Sequence, residues 1–66
     1  MMEMSFYGIA KIELVKVFAD NCNSRTIRIT SVKGEEMEIA LYGETEALDA
    51  LPRSDDFREV PKKGAA

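Results

Sequence analysis

Histidine is absent from this 66-residue chain, and cysteine occurs once, as Cys22. A single thiol cannot form an intramolecular disulfide, and no metal site built on histidine or on several cysteines is available. Imidazole acid–base chemistry is excluded, and Cys22 has no histidine to activate it as a nucleophile. Glycine is sparse: Gly8, Gly34, Gly43 and Gly64 stand far apart, so neither of the glycine-rich phosphate-binding patterns is present. No apolar run approaches the ~20 residues that cross a bilayer as a helix. The opening Met1-Met2-Glu3-Met4 lacks the basic and apolar regions of a signal peptide. Together with the lone cysteine, these features lead to the expectation of a cytoplasmic chain with no membrane association.

What is there makes one small domain, expected over residues 1–66, with flexible tails at 1–4 and 61–66. A chain of about 60 residues buries only ~60% of the surface that its unfolded form exposes. Domains this small usually add disulfides, a metal or a partner subunit. The first two are missing, so a homodimer is expected. The 45% apolar content is that of a folded chain. Charge is unevenly placed: residues 1–33 carry a net +2 and residues 34–66 a net −5. Such asymmetry bears on partners and solubility rather than on fold.

The segment from Phe6 to Phe18 is rich in β-branched and aromatic residues and reads as a strand. Its even positions (Phe6, Ala10, Ile12, Leu14, Phe18) form a nearly clean apolar face. Apolar residues also occupy both ends of the odd face, so a bulge is expected near Gly8 or around Val15-Lys16. An amphipathic helix, with Ile9, Ile12, Val15 and Ala19 at helical spacing, is the competing reading. Asp20 to Ser24 is a turn, because Asp and Asn bond their own backbone and tolerate left-handed conformations. Arg25 to Ser31 and Met37 to Tyr42 both alternate polar and apolar, the signature of half-buried strands.

The hairpin between those two strands can be registered from chemistry. A two-residue Lys33-Gly34 loop would set Ile29 opposite Glu38 and mix apolar with charged side chains on one face, which disfavours it. A three-residue Val32-Lys33-Gly34 loop instead pairs Ile29 with Met37 and Ile27 with Ile39. It places Arg28 against Glu38 on the other face. It also puts Gly34 where a type I turn with a bulge requires a left-handed residue. After Gly43, residues Glu44 to Leu51 read as a short α-helix, with Thr45 as N-cap and Pro52 as its stop. Arg53 to Val60 reads as irregular. The expected fold class is α+β: a small three-stranded antiparallel β-meander followed by one short α-helix, βββα.

The catalytic inventory is nearly empty, so no enzyme activity and no cofactor are expected. Carboxylates cluster, but acid–base pairs need a cleft that sets their environments apart, and a chain this small has little room for one. Asp55 and Asp56 near Glu59 lack the spacing of a calcium loop. Two surfaces remain. The acidic second half, with Glu35, Glu36, Glu44, Glu46, Asp49, Asp55, Asp56 and Glu59, suits a protein partner with a basic groove. The outer sheet face, with Lys11, Arg28 and Tyr42, is the alternative, a nucleic-acid contact combining cations with an aromatic. Glu13, Glu36 and Glu38 share that face and repel phosphate. The leading expectation is therefore a small, non-enzymatic, acidic protein-interaction module. Its size and plan suit an accessory protein of a phage or mobile element that binds and modulates a host protein, although no motif carries that last step.

Overall fold

The computed structural model describes residues 2–20 and 22–60. Four strands form one sheet: β1 (Ile9–Phe18), β2 (Ser24–Ser31), β3 (Glu36–Leu41) and β4 (Arg53–Val60), in the spatial order β3-β2-β1-β4. Strands β1, β2 and β3 are antiparallel neighbours, and β4 lies parallel to β1 at the far edge. The fold is therefore a mixed four-stranded sheet, not the three-stranded meander with an α-helix that the sequence suggested. The tail expected at 61–66 lies outside the described residues, as does Met1; residues 2–4 are exposed.

The hairpin adopts the register derived from its turn chemistry. Ile27 faces Ile39, Ile29 faces Met37, Arg28 faces Glu38 and Thr30 faces Glu36. Ser31 and Glu35 close the loop, with the Ser31 N–H donating to the Glu35 carbonyl at 2.8 Å and the Gly34 N–H to the Ser31 carbonyl at 3.0 Å. Gly34 has φ of +89°, and a Cβ added there would meet nothing within 4 Å. The cost of a side chain at this position is therefore backbone strain alone. Gly34→Ala is expected to lower stability by about 1 kcal/mol, and Gly34→Asn by less, because asparagine tolerates left-handed backbone. Urea midpoints at matched protein concentration measure the difference.

Strand β1 carries two bulges, and they decide what its faces hold. Register shifts fall between Ile9 and Lys11 and between Leu14 and Lys16, leaving Ala10 and Val15 as the extra residues. The second lies where the apolar pattern called for a bulge. Each bulge rotates the following side chains by one position. Ile9, Ile12, Leu14 and Val17 consequently share one face with Arg25, Ile27, Ile29, Met37 and Ile39. Phe18 moves to the opposite face, where the Lys16 ammonium stands 6.0 Å from its ring centroid. The even-numbered apolar stripe read from sequence thus ends at Leu14.

The segment expected to be an α-helix is a 3₁₀ turn, Glu46–Ala50. Thr45 makes no side-chain cap; its hydroxyl donates instead to the Asn23 carbonyl at 2.6 Å. Pro52 holds Leu51 extended, at φ −70° and ψ 151°. Fewer than ten residues between Gly43 and Pro52 must carry the chain from β3 across β2 and β1 to β4, roughly three strand spacings or ~14 Å. A 3₁₀ helix rises ~2.0 Å per residue against ~1.5 Å for an α-helix, so it covers that crossing with the residues present. The reach of the connection overrides a weak helical preference.

The buried hydrophobic residues gather on the part of β1 that pairs with β4. Leu14, Val15 and Val17 are the buried hydrophobic residues of the described chain. Strand β4 pairs only with Leu14 and with Lys16 to Phe18, and the Leu14 N–H donates to the Pro52 carbonyl at 2.7 Å. Between those pairings β4 has four residues, Ser54 to Phe57, where β1 has one, Val15, a large bulge. The half of the sheet built from Ile9 to Glu13 and the hairpin has no such cover among the described residues.

Candidate functional site

The two faces of the sheet differ in how completely their side chains are engaged. On the outer face, Arg28 is the hub. Its Nε and Nη2 donate to Glu38 Oε2 at 3.1 and 2.8 Å, while Nη1 and Nη2 donate to Asp56 Oδ1 and Oδ2 at 3.2 and 2.8 Å. The Arg28 hydrogen bonds hold the Asp56 carboxyl far below the ordinary carboxylate range. Lys11 pairs with Glu13 at 3.6 Å. Tyr42 lies just past the end of β3 and is exposed. Of the three residues proposed for nucleic acid, both cations are thus tied to carboxylates, and a phosphate would have to displace them.

The acidic residues are spread over several elements. Glu35 follows the hairpin loop, Glu36 opens β3, and Glu44 lies in the loop after it. Glu46 and Asp49 belong to the 3₁₀ turn, and Asp55, Asp56 and Glu59 to β4. Several serve the fold. Glu46 accepts from Asn23 Nδ2 at 2.6 Å, Asp56 holds Arg28, and Asp49 is the counter-ion of a buried cation. Among the described residues no three His, Cys, Asp or Glu side chains converge as a metal site would require.

That buried cation is Arg25, which the sequence reading left unassigned. Its position in β2 has the same parity as Ile27 and Ile29, so it projects from the apolar face, and it is 7% exposed. Asp49 takes two parallel hydrogen bonds from it, Nε to Oδ1 and Nη2 to Oδ2, both at 3.1 Å. Nη1 reaches the Asn23 side-chain oxygen and, at 3.4 Å, Thr45 Oγ1. Asn23, with φ of 55°, also donates Nδ2 to the Gly43 carbonyl at 2.9 Å. This clamp fastens the crossing segment to one end of the apolar face. The signal for it was present: a lone arginine at an apolar-face position needs a carboxylate from another element.

At the opposite end the apolar face is bare. Ile9 is 38% exposed, Ile12 40% and Met37 44%, and Ile27, Ile29 and Ile39 are only partly buried. Phe6 and Tyr7 stand beside this region. With Ile9, Ile29 and Met37 they line an open groove of about 330 Å³, rimmed by Ser31, Glu35 and Glu36. The groove is apolar on the Phe6, Ile9, Ile29 and Met37 side and polar where Ser31, Glu35 and Glu36 border it. No protein-family model matches this chain, and no curated protein and no solved structure matches it either.

Proposed function

We propose that this chain is a non-catalytic protein-interaction module, and that it engages another polypeptide through the uncovered half of its apolar sheet face. The observation that carries this reading is the exposure of Ile9, Ile12 and Met37 on one continuous apolar face whose other end carries the Arg25–Asp49 clamp. Contiguous apolar surface of this kind is costly to leave in water and marks interaction sites on soluble proteins. Of the acidic residues, Glu35 and Glu36 border that surface. Glu46, Asp49 and Asp56 are committed to contacts inside the chain. The nucleic-acid alternative finds no comparable support, because Arg28 and Lys11 are already paired.

Site-specific photo-crosslinking in the native host tests the reading. A benzophenone amino acid at Met37 is expected to form an adduct with a polypeptide, and the same probe at Ala40, on the opposite face, is not. Equal adducts at both positions, or nuclease-sensitive adducts alone, would remove it.

A further inference from the structure

We infer that the polypeptide seated on the bare half of the sheet is a second copy of this chain, packed face to face so that two single sheets make a two-layer sandwich. The inference rests on the interaction reading above and names its occupant. Domains are stable when two layers enclose one apolar core. Here the second layer is a single crossing segment, and the molecule is 17 Å through its thinnest direction. Among the described residues the buried hydrophobic side chains are Leu14, Val15 and Val17, a small core. A second copy would supply the missing layer, and it is at hand wherever the chain is made.

Area agrees with this. The chain exposes 5121 Å², whereas a compact monomer of its 7.4 kDa mass exposes about 4200 Å². Residues 2–7, all exposed, supply part of the excess, and the bare half-sheet supplies another part. The surface also suits pairing with itself. By register, Ile9, Ile12, Ile27, Ile29, Met37 and Ile39 form its floor, so a two-fold axis would place aliphatic groups on aliphatic groups. Sheets stacked in this way sit ~10 Å apart and interdigitate.

The alternative of joining copies edge to edge through β3 is disfavoured by charge. Glu36 and Glu38 alternate along that strand, and antiparallel pairing of two such edges would set carboxylates near carboxylates. Charge also separates a second copy from a basic partner. Each chain carries −3, so self-association works against repulsion and should strengthen with salt, while binding to a basic partner should weaken.

Light scattering and sedimentation equilibrium on the purified full chain provide the test. Mass is expected to rise from 7.4 kDa toward twice that value as concentration rises to about 0.5 mM, which populates the dimer even for a Kd near ~100 μM. Raising NaCl from about 0.05 to about 0.5 M, which shortens the Debye length from about 14 to about 4 Å, should tighten the dimer. Met37→Lys should weaken it by at least about tenfold. Should that variant unfold, isotope-filtered Overhauser contacts between Ile12 and Met37 methyls of labelled and unlabelled wild-type chains give the answer independently. A monomer throughout, or intermolecular contacts confined to the β3 edge, overturns the inference. In the monomer case, a Met37 adduct with a different polypeptide in the host leaves the interaction reading standing, and no adduct removes that too.

Discussion

Asp49→Ala is expected to remove about 2–3 kcal/mol of stability, the range for losing a bidentate hydrogen bond between charged groups when one partner is left buried. The Arg25 side chain is 8% exposed and its partner's 42%. The substitution therefore leaves a guanidinium under the crossing segment, with only Asn23 and Thr45 to satisfy it. A chain of this size has about 3–10 kcal/mol in total, so a large share is at stake. The cause can be separated from simple loss of contact. Adding Arg25→Leu to Asp49→Ala should restore part of the stability, because an apolar group in that place carries no unpaired charge. The pH dependence gives the same pair a second signature. The hydrogen bonds from Arg25 hold the Asp49 carboxyl below its ordinary value. Its contribution is therefore complete above the unfolded carboxyl pKa of about 4 and is lost as the pH falls below that. Urea titrations from neutral to acidic pH should show wild type losing stability faster than Asp49→Ala over that interval, at one fixed protein concentration.

Legibility in the sequence followed the range of the interactions. The β2–β3 hairpin could be derived to the residue because turn chemistry, alternation and the Arg28–Glu38 pair are all local and agree. The bulge near Val15 was readable because apolar residues on both faces of one strand force a change of phase. Strand β4 was not readable. Its sequence, Arg53 to Val60, is crowded with Asp, Arg and Glu, which disfavour strands. Its apolar residues Phe57 and Val60 also stand three apart, away from the strand period. Those charges suit an edge, where they discourage further pairing. Its parallel pairing with β1 depends on a long-range crossing that no local pattern encodes. The same crossing drew out the expected helix into a 3₁₀ turn and turned Asp49 from a surface acid into the partner of Arg25. The candidate surface was half visible. Glu35 and Glu36 were singled out as acids, while the apolar floor beside them emerges only when the strands are assembled and one end is found uncovered.

Leu14→Ala and Ile12→Ala should separate the core of the single chain from the core that a second copy completes. The two residues lie on the same strand and the same face, across from Ile27 and Ile29. Leu14 is fully buried, whereas Ile12 is 40% exposed. Truncating Leu14 removes a side chain packed on all sides and leaves a void. The expected cost is about 3 kcal/mol, within the range for fully buried leucines. That cost should hardly change with protein concentration, because the void lies within one chain. Truncating Ile12 in an isolated chain removes methyl groups that water already reaches, so a cost below about 1 kcal/mol is expected when protein is dilute. If a second copy covers this face, the same methyl groups become buried on association. The Ile12→Ala cost should then grow with protein concentration, as linkage requires for a group buried only in the complex. Urea unfolding of wild type and both variants at about 5 and about 500 μM, on either side of a Kd near ~100 μM, makes the comparison. An Ile12→Ala cost that stays small and constant across that range would mean that no second copy covers the face. A rising cost beside a constant one for Leu14→Ala would place the boundary between the two cores between these neighbouring positions on β1.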